Sequence, residues 1–96
     1  MLTPKQRKYL EKEAHEMTPT AFIGKNGLTA TVVHAVVENI DKNELIKVKI
    51  QKDAPVDKRE AAQKIAEASG AEIVRIIGGT IILFKPLKEN SRFPLP

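Results

Sequence analysis

Gly24-Lys25-Asn26-Gly27 is the stretch of this chain best suited to hold an anion. An apolar run, Ala21-Phe22-Ile23, precedes it, and a helix-like pattern from Thr29 to Ile40 follows. Two glycines at a strand-to-helix junction allow a tight turn that exposes backbone N–H groups. The helix N-terminus adds the positive end of its dipole, and Lys25 adds a full charge. Asn26 tolerates a left-handed backbone or donates an amide hydrogen bond. A phosphodiester backbone fits such a loop. From these four residues alone a plain turn with a solvated lysine is the simpler account, because G-x-x-G is common.

Two groups of cations could follow a phosphate backbone. Lys5, Arg7 and Lys8 fall in the first turns of a predicted helix, with Lys12 one turn on. Cations there oppose the helix dipole at ~0.3–1 kcal/mol each, where a sequence serving stability alone would place acids. Further on, Ile46, Val48 and Ile50 alternate with Lys47, Lys49 and Gln51, and Lys52 extends the basic row. That alternation describes a strand with one buried face and one wet, basic face. Alternate strand residues lie roughly 6.6–7 Å apart, close to one nucleotide step. Arg75, which interrupts Ile73-Val74 and Ile76-Ile77, is expected near Lys47 and Lys49 on the same exposed sheet surface. A solvated face accounts for each group equally well.

Reactive chemistry of other kinds is missing. His15 and His34 each stand alone on a helix, without metal-ligand spacing to each other. Asp41, Glu44, Asp53 and Asp57 sit at helix ends or in loops and read as capping and solubility acids. The glycine loop lacks the G-x-x-x-x-G-K-[ST] of a P-loop and is no dinucleotide fingerprint. The chain has no cysteine, which removes disulfides, thiol catalysis and Cys-based metal sites. These absences predict a protein that is not an enzyme and needs no metal or cofactor.

The elements that position these residues are legible from caps and periodicity. Thr3 as N-cap, Pro4 at N1 and Gln6 at N3 start a helix that runs to about His15 or Glu16, with Tyr9, Leu10, Ala14 and Met17 on its apolar stripe. Pro19 pushes Thr18 to an extended conformation, and Thr20 to Ile23 follows as a short strand. Thr29 caps a second helix whose buried stripe is Val33, Val36, Val37 and Ile40. A strand covers Leu45 to Gln51. Asp57, with Glu60 at N3, opens a third helix that Gly70 stops after Ser69. Glu72–Ile77 and Thr80–Lys85 are strands joined at Gly78-Gly79, and Ile81-Ile82-Leu83-Phe84, apolar on both faces, predicts a covered central strand.

The order is therefore α-β-α-β-α-β-β, an α/β fold with a mixed four-stranded sheet. Helical crossovers make the first three strands parallel wherever they are neighbours, and the last two form an antiparallel hairpin. Residues 1–86 form one domain, and 87–96, rich in proline, reads as a loose tail, with docking or stacking of Phe93 the alternative to disorder. The net charge of +4 comes from 16 bases against 12 acids, so its distribution matters more than its sum. Only four aromatics are present, Tyr9, Phe22, Phe84 and Phe93, too few for base stacking to be the main device. No apolar run approaches membrane-spanning length and no signal-peptide core opens the chain, so the expectation is a soluble cytoplasmic protein without a membrane partner.

These pieces together resemble the CRM (chloroplast RNA splicing and ribosome maturation) domain family, most closely its stand-alone bacterial, YhbY-like members. The resemblance rests on Leu2-Thr3-Pro4-Lys5-Gln6-Arg7, Gly24-Lys25-Asn26-Gly27-Leu28-Thr29 and Glu44-Leu45-Ile46-Lys47-Val48-Lys49, followed by Ala68-Ser69-Gly70-Ala71, Ile77-Gly78 and Ile81-Ile82-Leu83-Phe84-Lys85. In this order and spacing they cover residues 2–85. The resemblance implies a fold similar to the C-terminal domain of a bacterial translation initiation factor. It also implies an RNA-binding module whose G-x-x-G loop is comparable in role to that of KH domains, acting on ribosomal RNA in precursors of the large ribosomal subunit as a monomer. The loop role carries to Gly24, Lys25, Asn26 and Gly27, and the basic-surface role to Lys5, Arg7, Lys8, Lys47, Lys49 and Arg75. One departure stands out: the Tyr-Arg expected near the end of the last strand is Phe84-Lys85 here. Charge survives, but the phenol and the bidentate phosphate geometry do not.

Two other function classes compete with an RNA-binding assembly factor. One is a protein-interaction module in an RNA-processing or translation complex, docking through the first helix or Phe93. The other is a small nucleotide or phosphotransfer enzyme using the Gly24 loop, which the missing acid–base set disfavours. Salt separates the first two: RNA binding weakens steeply with ionic strength, and apolar docking does not.

Overall fold

The structure, a computed structural model, describes residues 2–87 and 91–96. Helix α1 (Pro4–Ala14) begins with a complete capping box: the Gln6 N–H donates to the Thr3 hydroxyl (3.1 Å) and the Thr3 N–H to the Gln6 side-chain oxygen (3.0 Å). Strand β1 (Ala21–Ile23) leads through the glycine loop into α2 (Ala30–Asn43), capped by Thr29. Strand β2 (Leu45–Ile50) precedes α3 (Lys58–Ser69), where the Asp57 carboxylate accepts from the Glu60 N–H at 3.0 Å. The Glu60 side chain turns outward to Lys64 (3.8 Å), so this cap is one-sided. Strands β3 (Glu72–Ile77) and β4 (Thr80–Phe84) close the chain's regular structure.

The sheet order is β1-β2-β4-β3, with β1 parallel to β2 and the other two pairs antiparallel. The crossover from β2 through α3 therefore does not make neighbours of β2 and β3. Strand β4 returns between them, because Ile81 to Phe84 are buried on both faces and can fill a central position. Helices α2 and α3 cover one face, where Val36, Ile40, Ala61, Ala62 and Ile65 pack on Ile23, Ile46, Val48, Ile81 and Leu83. Helix α1 covers the other, where Leu10 and Ala14 pack on Leu45, Val74, Ile82 and Phe84. At 11 residues α1 is about 16 Å long, enough to cover only one end of that face.

From the described part of the tail, Phe93 packs on this second core, while its neighbours in 91–96 stay exposed. Phe93 meets Phe84 edge to face at 6.1 Å between ring centroids. Glu44 is the anchor. It is fully buried, with φ 64°, and its carboxylate accepts from the Ser91 hydroxyl (2.6 Å) and the N–H groups of Arg92 (2.6 Å) and Leu87 (3.3 Å). A buried carboxylate demands such donors, and among the described residues the tail supplies them.

Candidate nucleic-acid interface

Three connections gather at the end of the sheet where β1 and β2 finish: the Gly24–Gly27 loop, the β2–α3 loop and the β3–β4 turn. The glycine loop is a closed turn, with the Gly27 N–H on the Gly24 carbonyl at 2.9 Å. Gly27 has φ +75°, a conformation that a side chain would strain. A Cβ at Gly24 would stand 2.9 Å from the Gln51 side-chain oxygen, and the Gln51 N–H donates to the Ile23 carbonyl at 2.8 Å. The loop is thus seated on the β2–α3 connection, while Lys25 and Asn26 face solvent. Thr29 takes the Val32 and Val33 N–H groups on its hydroxyl and carbonyl (3.2 and 3.1 Å). The N–H groups of Ala30 and Thr31 remain at the open end of α2, beside the loop.

A groove adjoins the loop. Its walls carry Phe22, Lys49, Gln51, Lys52 and Lys58, and among the described residues no acid lines it. Of the cations expected from the sequence, Lys49 stands here, exposed. Lys52 and Lys58 join it; the sequence marked the first only as an extension of the row, and the second stands at the start of α3. Phe22 was passed over. Its signal was the alternation Ala21-Phe22-Ile23: if the outer two enter the core, the middle one points to the opposite face, and it is 50% exposed.

The remaining expected cations lie elsewhere and have local duties. Lys47 Nζ donates to the carbonyls of His15 (3.1 Å) and Met17 (3.0 Å), fastening the end of α1 to the sheet. The Arg7 guanidinium donates to the carbonyls of Ile73 and Val74 (3.0 Å to the latter). Consecutive carbonyls of a regular strand point to opposite sides; here the register shift between Ile73 and Arg75 lets one nitrogen reach both. Arg75 shares the exposed face with Lys47, as expected, but pairs with Glu11. Lys8 lines a cleft with Glu11, Glu13 and Glu16, and Lys5 is exposed on α1. The structure therefore brings Gly24, Lys25, Asn26, Gly27 and Lys49 together, and separates them from Lys5, Arg7, Lys8 and Arg75. Lys85, where the family pattern departs, pairs with Asp41 at 2.8 Å.

No group of three or more His, Asp or Glu residues could hold a metal among the described residues, and His34 is an exposed side chain paired with Glu38 at 2.9 Å. No helix is long and apolar enough to cross a membrane among the described residues.

The chain is similar to several known proteins. The probable RNA-binding protein YqeI of Bacillus subtilis is 36% identical over 96 residues, spanning 100% of both chains. An RNA-binding protein of Haemophilus influenzae is 32% identical over 95 residues, covering 99% of this chain and 95% of its own. The solution structure of a hypothetical Staphylococcus aureus protein, a candidate RNA binder, superposes with a TM-score of 0.85 at 36% identity, over 100% of both chains. The CRS1 / YhbY (CRM) domain matches residues 2–85, the span that holds all seven elements and the glycine loop, and the chain belongs to that family.

Proposed function

We propose that this protein binds RNA without catalysis, gripping the phosphodiester backbone with the Gly24–Gly27 loop, the N-terminus of α2 and Lys49. One observation carries the reading: the exposed Lys25-Asn26 turn, an open helix N-terminus and a groove lined by no acid among the described residues share one end of the sheet. Backbone N–H groups and fixed cations suit a phosphate there. The names of the relatives support RNA as the ligand class. Lys5 and Lys8 add to the field from α1, whereas Arg7, Lys47 and Arg75 serve the fold first. Ribosomal RNA of the large-subunit precursor is the proposed target, met in the cytoplasm by a monomer. Docking of a protein through α1 or Phe93 is disfavoured, since the apolar stripe of α1 and the Phe93 ring are already packed.

Replacing Lys25 and Asn26 with Asp, with both glycines kept, tests the site. The turn survives and the acids favour the helix dipole, so the melting temperature holds while RNA affinity at low salt nearly vanishes. Wild-type affinity in a folded variant would remove the loop from the mechanism. Sedimentation of extract through a sucrose gradient tests the target: co-migration with a large-subunit precursor is expected, and a protein confined to the soluble fraction would overturn the assembly role.

A further inference from the structure

We infer that Phe22 is a stacking platform for one unpaired nucleobase, with Lys49, Lys52 and Lys58 holding the adjoining phosphates. This rests on the RNA-binding reading above and gives that site a preference for single strands.

The sheet face that α1 covers is open beyond the helix's last turn, because Lys47 pins the carbonyls of His15 and Met17 and the chain then leaves for β1. One row of the sheet is left bare there. Phe22 pairs with Lys49, Lys49 with Thr80, and Thr80 with Ile77, so these four side chains share that face. Phe22 is 50% exposed and Ile77 44% exposed, at its two ends. Phe22 also forms a wall of the groove whose cations are Lys49, Lys52 and Lys58.

The chemistry of the row selects its occupant. An apolar protein surface on Phe22 would bury it beside three lysines with no acid in the groove among the described residues. A single-stranded nucleic acid satisfies both features, with a base on the ring and phosphates on the lysines. A duplex satisfies only the second, because its base faces are already stacked. Asp53 and Asp57 belong to the same loop, but neither lines the groove, and Asp57 is committed to capping α3. Gln51, which lines the groove and lies under Gly24, makes the base site continuous with the backbone-binding loop.

The chain has no tryptophan, so Phe22→Trp introduces a sole reporter at the proposed contact. A twelve-nucleotide single-stranded RNA of mixed sequence should quench its emission, and a blunt duplex of that sequence should not. Phe22→Ala should lower single-strand affinity about 10- to 100-fold, leave duplex affinity unchanged and keep the salt slope, since no charge is removed. Phe22→Leu retains apolar bulk without a π face. It should show the same loss, which separates stacking from packing should the alanine variant melt early. Full single-strand affinity in Phe22→Leu would overturn the proposal. If the Asp-substituted loop still abolished binding in that case, the backbone reading would stand alone; if neither change mattered, both would fall. Equal losses on both RNAs, or no quenching by either, would mark the face as a structural or protein contact and also overturn it.

Discussion

Replacing Glu44 with Gln should cost about 2 kcal/mol at neutral pH, and the geometry of the tail anchor sets that figure. One carboxylate oxygen accepts from the Ser91 hydroxyl and the Leu87 N–H, the other from the Arg92 N–H. Glutamine keeps the shape, but one oxygen becomes an NH₂ that must face a donor. A hydrogen bond to a charged group contributes roughly 1.5–3 kcal/mol, and in either orientation the amide NH₂ faces a backbone N–H, of Arg92 or of Leu87, that loses its acceptor, while every remaining bond loses its charge. For a domain near this size 1 kcal/mol moves the melting temperature by roughly 4–8 °C, so a fall of about 8–16 °C is expected. Burial pushes the Glu44 carboxyl up, but the donors on Ser91, Arg92 and Leu87 and the Arg92 charge outweigh it, holding the pKa below its ordinary 4.5. A depressed folded-state pKa gives stability that is complete above the unfolded value and drains as pH falls through the folded one. The gap between wild type and Glu44→Gln should therefore be widest at pH 7 and close as pH falls below 4.5. Thermal melts by circular dichroism across that range read both. A gap that stays constant into the acid range, or a shift of less than about 3 °C at pH 7, would refute the anchor.

Three further changes separate fold from binding. Asp57→Ala removes the cap of α3 and should cost about 1 kcal/mol, a fall of roughly 4–8 °C by melting, with RNA affinity unchanged; an unchanged melt would contradict the cap's role. Lys47→Gln should lower the melting temperature, because the His15 and Met17 carbonyls lose their donor, and barely move affinity. Lys49→Gln should do the reverse and flatten the log-affinity against log-salt slope by about 0.7; the opposite ranking of the two lysines would move the interface away from the groove.

Local signals made most of the fold legible. The caps at Thr3, Thr29 and Asp57 and the stop at Gly70 all act within four residues, and each helix begins where its cap said. Strand order is a long-range outcome: the crossovers allowed β2 beside β3, and only the competition of β4 for the central position decided otherwise. The contacts of the tail were not legible because the acid they meet lies 43 to 48 residues away and read as a solvated helix end. The cations were only half legible. Alternation told which face Lys47 and Lys49 share, but not that a neighbouring helix end would claim one of them. Phe22 was discounted by counting aromatics, a rule that asks how many rings exist and not whether one of them is exposed.

The modest net charge of +4 becomes useful through its placement. Acids concentrate along α1, where Glu11, Glu13 and Glu16 share a cleft with Lys8, Lys12 and Arg75 and largely cancel their field. At the far end of the sheet Lys49, Lys52 and Lys58 stand in a groove that no acid among the described residues lines, one loop away from Lys25. Lysines that pair with acids or carbonyls lose reach; lysines that do not can steer and hold a polyanion. The same division explains why the loop is glycine-bounded. Gly27 must adopt a positive φ, and Gly24 must leave room for Gln51, so the turn is held against the β2–α3 connection and its two central side chains are presented outward. A backbone fixed in this way leaves little conformational entropy to lose when a phosphate arrives, so the few charges there act at full effect.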